Sequence, residues 1–212
     1  ETQRVLETIR THPEGLFLAI LYYLGVRRGE ALGLKWGDFD FTVDQVHIQR
    51  DIDFTGSTAV DGTLKTEAAD RFVPIPEDLK VMLLPKRESA DAYVFHTPSG
   101  APLPQASYKR MWSRLMLECG CVEWRELKPG TSRPDDILKQ VKPTLTPHYF
   151  RHNYVTLLYE SGIDPLVAMK IVGHTDYQTT ANIYTHLKED TLRRASVNME
   201  KVFAKRSEQD AQ

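Results

Sequence analysis

Apolar residues recur every three or four positions over most of the chain, and glycine, proline and short polar turns interrupt this spacing. Such spacing is typical of helices that bury one face. Thr146-Pro147 has the form of a helix start, and the first two helices form an antiparallel pair. The pattern predicts helices over residues 2–11, 14–24, 28–34, 77–84, 105–119, 147–160, 165–172, 177–187 and 190–205.

The apolar spacing changes to every second position after Gln45, at Val46 and Ile48, which is typical of β-strands. The polar, proline-containing segment 122–144 is interpreted as a surface insertion with one short helix at 135–141. The chain is therefore predicted to be mainly α-helical with one small antiparallel β-sheet, an α+β fold. Further extended segments are predicted at residues 63–66, 71–75 and 93–96.

The composition is that of a globular protein: 212 residues, 41% hydrophobic and 26% charged. We expect one domain over residues 1–212. The longest apolar run, residues 16–24, is far shorter than the roughly 20 residues of a membrane span, and no signal peptide opens the sequence. A cytoplasmic location is therefore predicted. Cys119 and Cys121 are expected to be reduced and structural, and no cofactor or metal site is predicted.

The net charge of −2 lacks the basic excess that is usual for a DNA-binding domain. This sum hides the distribution of charge, because several basic residues fall in segments that are able to share one face. They are Arg27, Arg28, Lys65, Lys109, Arg110, Arg114, Lys142 and Arg151.

Six residues attract attention by their order along the chain, although each alone has an ordinary structural explanation. His148 and Arg151 are three residues apart on one predicted helix and therefore project from the same face. A lone strand lysine, such as Lys65, usually protects a sheet edge. The full set is Arg27, Lys65, His148, Arg151, His174 and Tyr184.

Together these residues resemble the motifs of tyrosine recombinases, and among them the integrases of phages and conjugative transposons. The matching segments read Gly-Val-Arg-Arg-Gly-Glu, Pro-His-Tyr-Phe-Arg-His, Val-Gly-His and Thr-Thr-Ala-Asn-Ile-Tyr, with a hairpin lysine after the first. The resemblance covers nearly the whole chain up to Tyr184. It implies the tyrosine recombinase catalytic-domain fold and one active site made of the six residues, with Tyr184 as the nucleophile. Two features depart from the family pattern: Tyr149 follows the histidine of His-Tyr-Phe-Arg, where many relatives have an acidic or small residue, and the insertion 122–144 is longer than in compact members.

The chemistry of these side chains suits the cleavage of a phosphodiester. Arginine binds non-bridging phosphate oxygens through two parallel hydrogen bonds and stabilises the charge that grows on them. No carboxylates are spaced to hold Mg²⁺, which predicts a metal-independent reaction. Lys65 is the candidate general acid, whereas His148 and His174 are candidate phosphate hydrogen-bond donors or proton-transfer partners. Glu30, three residues after Arg27, is expected to support the arginines rather than to react.

The resemblance also implies partners and a wider context. Double-stranded DNA carrying a recombination site is the expected substrate, and self-association into a tetramer on two DNA sites is expected through an exchange helix at 190–205. Excision or host architectural factors are further expected partners, and the bacterial nucleoid is the expected place of action. The family's N-terminal core-binding domain is absent from this chain, which is interpreted as a catalytic fragment.

Two other functions stay open from the sequence. A type IB topoisomerase uses similar chemistry to relax supercoils, but the motifs and the helix after Tyr184 match integrases better. A non-catalytic DNA-binding module that kept the fold is the alternative from a different class. A covalent adduct on cognate DNA distinguishes this module from an enzyme.

Overall fold

A computed structural model of the chain describes residues 2–62, 69–125 and 137–173, and it confirms the predicted fold class of helices with small antiparallel sheets. The predicted segment 63–66 and the helices 177–187 and 190–205 lie outside the described residues. The helices are α1 (Thr2–Thr11), α2 (Gly15–Leu24), α3 (Arg28–Gly33), α4 (Glu77–Leu83), α5 (Gln105–Glu118), α6 (Ile137–Gln140), α7 (Pro147–Glu160) and α8 (Pro165–Val172). The strands are β1 (Phe39–Asp40), β2 (Gln45–Ile48), β3 (Asp51–Thr55), β4 (Thr58–Gly62), β5 (Arg71–Pro74), β6 (Val122–Trp124) and β7 (Val141–Pro143).

Helix α2 forms the centre of the core because it is apolar on every side. Residues 17–21 have no exposed surface, and α1, α4 and α7 all pack around this helix. The Phe17 ring makes edge-on contacts with Phe95 and Trp112, at centroid distances of 5.1 and 6.3 Å. Aromatic rings prefer this edge-to-face arrangement. Through the contact with Trp112, α2 packs against α5.

In the described part of the chain the strands form three small sheets, where the sequence predicted one. β2 lies between β1 and β5 in an antiparallel sheet, whereas β3 pairs only with β4 and β6 only with β7 among the described strands. The separation of β2 from β3 has a local cause. Between these strands Arg50 turns its guanidinium to Asp38 and to the Gly33 carbonyl, so the chain leaves the first sheet at this point.

Two predicted segments differ from the structure. Residues 93–96 form no strand. Tyr93 and His96 make isolated bridges to Lys35 and Pro102, and the turn at Pro98 together with Pro102, which has no backbone N–H, prevents longer pairing. The ends of the predicted surface insertion 122–144 are regular structure, since they form the β6–β7 pair and bury Val141 against α5. The predicted short helix is present at Ile137–Gln140 within the described residues and ends before Val141, which belongs to β7.

Helix α8 is attached to the domain at both its side and its end. Val172 is buried with Tyr154 and Val155 of α7 in a small apolar cluster. Gly173 ends the helix in a left-handed conformation, with φ at 74°. Glycine adopts this conformation without strain. None of the described helices is both long and apolar enough to span a membrane.

Candidate active site

An open pocket of about 480 Å³ lies where α3, β3, α5 and the start of α7 meet. Arg27, Arg28, His148 and Arg151 all line it, together with Tyr108. Three of the predicted site residues are therefore brought to one pocket from segments more than a hundred residues apart. Of the other basic residues singled out in the sequence, Arg114 is instead paired with Glu14 and Lys142 with Glu123.

The end of α2 places Arg27 at the pocket. Gly25 adopts a left-handed φ of 60° and lies against the Tyr154 ring of α7 so closely that an added Cβ would be 2.2 Å from it. Only glycine meets both requirements. The chain then turns, and Arg27 becomes the residue that precedes the first turn of α3, with its side chain 45% exposed.

Glu30 lies at the centre of the basic cluster and is 2% exposed. Its carboxylate accepts hydrogen bonds from the Arg27 backbone N–H and guanidinium, both at 2.7 Å. Arg71, on β5, binds the same carboxylate through both terminal nitrogens, at 3.0 and 2.9 Å. The nearest guanidinium nitrogen of Arg151 is 4.0 Å away. One buried carboxylate thus holds the charge of three arginines together.

The pKa values reflect this concentration of charge. Burial raises the pKa of Glu30, but the hydrogen bonds from Arg71 and Arg27 outweigh burial and bring the pKa from 4.5 to about 2. Burial and the charge of Arg27 lower the pKa of Arg151 to about 9, against the opposing effect of Glu30. Glu30 is therefore ionised and Arg151 is protonated at neutral pH.

The same three arginines bind the last carbonyls of α8. Arg71 Nε donates to the Ile171 carbonyl at 2.8 Å, Arg151 donates to that of Val172 at 2.6 Å, and Arg27 donates to that of Gly173 at 3.3 Å. The last carbonyls of a helix lack partners within the helix and carry its negative dipole end. The cluster therefore anchors this end of α8 by both hydrogen bonds and charge.

Arg151 is fixed by two elements at once. Besides the Val172 carbonyl, its guanidinium donates to the Gly25 carbonyl at 3.0 Å, and its side chain is only 3% exposed. These two bonds leave further N–H donors of the guanidinium at the pocket. His148, one turn earlier on α7, is exposed at the same pocket. The N-terminus of α7 also opens there, and such an end attracts anions.

Arg28 and Tyr108 form another side of the pocket. The Arg28 guanidinium lies 5.6 Å from the Tyr108 ring centroid and 5.0 Å from that of Phe54. Arg28 Nε is buried without a hydrogen-bond partner within the described part of the chain, and the guanidinium makes cation–π contacts with both rings. Burial raises the pKa of Tyr108 to about 12, despite the opposing charge of Arg28. Tyr108 is thus a poor nucleophile at neutral pH.

Comparison with known proteins decides the family. The model of the phage integrase family matches residues 1–191 of the chain. The chain belongs to the phage integrase family.

Two curated relatives show what share of their own length the chain matches. A tyrosine recombinase XerC-like protein of Caldanaerobacter subterraneus is 26% identical over 88% of the chain and 49% of its own length. The ICEBs1 integrase of Bacillus subtilis is 26% identical over 81% of the chain and 44% of its own length. The chain thus spans about half the length of the curated relatives that it matches.

The fold is also that of solved family structures. The Tn1549 transposon integrase, in complex with circular intermediate DNA, superposes with a TM-score of 0.67 at 22% identity. This match covers 95% of the chain and 64% of that integrase. At this level of identity the likeness shows the fold, which confirms the predicted catalytic-domain architecture.

The structure accounts for four of the residues that the family motifs single out. Arg27, His148 and Arg151 line the pocket, and Glu30 lies beneath them. The other three are Lys65, His174 and Tyr184, which lie outside the described residues. Their roles stay predictions.

Sequence reasoning missed Arg71. The alternation along β5 buries Arg71 and Val73 and exposes Phe72, so Arg71 lies on the core face of the strand. A buried arginine requires a carboxylate or carbonyl partner. An arginine at a core position of a period-two pattern was therefore the available signal.

Proposed function

We propose that this protein is a site-specific DNA recombinase, an integrase that cleaves and rejoins DNA strands without a metal ion. The observation that carries the proposal is the convergence of Arg27, Arg151 and His148 on one pocket at the N-terminus of α7. Donors that are already held in place stabilise developing charge without the cost of reorganisation. Glu30 and the α8 carbonyls hold both guanidiniums in this way.

The proposed reaction conserves the phosphodiester energy in a covalent bond. The Tyr184 oxygen attacks the phosphorus, a P–O bond to tyrosine forms, and the P–O bond to the 5′-oxygen breaks. Lys65 gives a proton to the departing 5′-oxygen, and the tyrosine proton passes to a nearby base or water. Attack by a 5′-hydroxyl of another strand reverses these steps, so rejoining requires no ATP.

The first experiment tests the nucleophile. The complete gene product is incubated with fragmented, nicked DNA from the host, and DNA bound covalently to the protein is purified under denaturing conditions and sequenced. A duplex built on the recovered site, nicked so that cleavage is trapped, then measures adduct formation. We expect Tyr184→Phe to abolish the adduct. An adduct that persists in Tyr184→Phe would show that another residue attacks.

Tyr108 offers a matched control, since it lies in the pocket but has a raised pKa. We expect Tyr108→Phe to retain the adduct, because this variant removes only a hydroxyl. Absence of any adduct with the unaltered protein would favour the non-catalytic DNA-binding module. Relaxation of supercoils without strand exchange between duplexes would favour the topoisomerase-like reaction.

We further propose that the segment 190–205 is an exchange helix through which protomers assemble as a tetramer on two DNA sites in the bacterial cytoplasm. Its apolar positions Leu192, Ala195, Met199, Val202 and Phe203 recur at helical steps and require a covering surface. Removing residues 190–212 is expected to abolish synapsis but not binding to one site. Normal synapsis and recombination by the truncated protein would contradict the proposal.

A further inference from the structure

Arg71 is a buried arginine that takes no direct part in the proposed strand transfer. Its side chain is 5% exposed and donates to both oxygens of Glu30, to the Ile171 carbonyl and to the Ala69 carbonyl. All three of its nitrogens are therefore used by protein acceptors. Arg71 also does not line the pocket that holds Arg27 and Arg151.

These bonds join the segments that carry the proposed catalytic residues. Through Glu30, Arg71 is connected to the backbone and guanidinium of Arg27. Through the Ile171 carbonyl it holds the end of α8, and His174 follows Ile171 by three positions in the sequence. Through the Ala69 carbonyl it holds the chain four positions after Lys65.

We propose that Arg71 is a positioning residue for strand transfer, which fixes Glu30 and the end of α8 relative to each other and so sets the geometry of the phosphate-binding arginines. The inference rests on the proposed function. Arg71 lies 41 residues from Glu30 and 100 from Ile171 in the sequence, so it connects segments that are not linked locally along the chain. Its effect reaches the DNA through Arg27 and Arg151, which bind adjacent carbonyls of α8.

The variant Arg71→Lys separates the effect of the guanidinium's position from the effect of its positive charge. A lysine keeps the positive charge beside Glu30, but its single ammonium group is unable to bind both carboxylate oxygens and the Ile171 carbonyl in the plane of a guanidinium. Small misplacements of groups that bind the reacting centre slow chemistry far more than they weaken binding, by on the order of 10²-fold for about 1 Å. We therefore expect Arg71→Lys to reduce the single-turnover rate of adduct formation on the order of 10- to 100-fold, with the Kd for DNA changed less than about threefold.

Arg50→Lys is the matched control in the same domain. Arg50 also joins a carboxylate, that of Asp38, to a helix-end carbonyl, that of Gly33, but it does not line the pocket. The complete gene product, its Arg71→Lys and its Arg50→Lys variants are compared on the trapped duplex for adduct rate, Kd and thermal unfolding. We expect Arg50→Lys to lose stability without losing rate, whereas Arg71→Lys loses rate at temperatures at which it is still folded.

A double substitution tests whether Arg71 acts through Glu30. We expect Glu30→Gln combined with Arg71→Lys to be no slower than the slower of the two single variants, because both interrupt one connection. If Arg71→Lys does not unfold cooperatively, Glu30→Asp is used in its place, because the shorter side chain also loosens the bonds between the carboxylate and Arg71. We again expect a slower adduct rate with little change in the Kd for DNA.

The outcomes separate this inference from the proposed function. If the unaltered protein forms no adduct, the proposed function fails. If the unaltered protein forms the adduct and Arg71→Lys forms it at the same rate, or loses rate and DNA affinity equally, Arg71 is not a positioning residue. Multiplied losses in the double variant would show that Arg71 does not act through Glu30.

Discussion

The buried carboxylate of Glu30 leads to a quantitative prediction about stability and pH. Its pKa is about 2 in the folded protein, against 4.5 for an ordinary glutamate. Because the folded pKa is depressed, the ionised carboxylate stabilises the fold above pH 4.5, and this stabilisation is lost as the pH falls towards 2. This difference in pKa contributes about 3 kcal/mol to the free energy of unfolding at pH 7, of which about 1 kcal/mol remains at pH 3.

Glu30→Gln removes this titration while keeping the size of the side chain. At neutral pH the variant also leaves the buried guanidiniums of Arg71 and Arg151 without their counter-charge, a loss of about 3–5 kcal/mol for a buried pair. We expect the free energy of unfolding of the two proteins to differ most at pH 7. The difference should then shrink by about 2 kcal/mol by pH 3.

Urea unfolding followed by tryptophan fluorescence measures this difference at several pH values. Other carboxylates titrate in the same range, but they are common to both proteins and cancel in the difference. Asp40→Asn is a graded comparison. Asp40 is exposed, and hydrogen bonds from Thr42 lower the pKa of its carboxyl, so we expect its stability difference to change with pH in the same direction but by less. A difference between the unaltered protein and Glu30→Gln that stays constant from pH 7 to pH 3 would refute the argument.

Three further predictions concern the site and its support. Arg27→Lys and Arg151→Lys should each reduce cleavage on the order of 10²-fold or more while DNA binding falls much less, and equal losses in both measurements would make them ordinary phosphate contacts. Gly25→Ala should destabilise the fold by about 3 kcal/mol, because the strain of a left-handed backbone adds to a clash with Tyr154. Gly100→Ala, at φ 81° in open space, should cost only about 1 kcal/mol. Equal unfolding midpoints of the two variants would contradict this prediction. This chain alone should bind duplex DNA weakly, with an affinity that falls steeply with added salt, and fluorescence anisotropy that shows nanomolar, salt-insensitive binding would disprove it.

The helices and the local pairs of residues follow from the sequence alone. Spacing of three residues on one helix places His148 beside Arg151, and the same spacing allows Glu30 to cap the backbone of Arg27. Periodicity also identified α2 and α7, because burial of one face or of a whole helix is recorded in nearby positions. The order of the motifs pointed to the phage integrases without any knowledge of the tertiary structure.

Only the tertiary structure determined how the arginines are held. The sequence marks Arg71 as a charge on the core face of β5, but it does not specify that the partner is Glu30 or that the end of α8 lies within reach. Periodicity reports which side of an element is buried, and it carries no information on which distant element covers that side. A buried charge makes a partner necessary, whereas the packing of α8 against α7 and β5 decides which partner it meets.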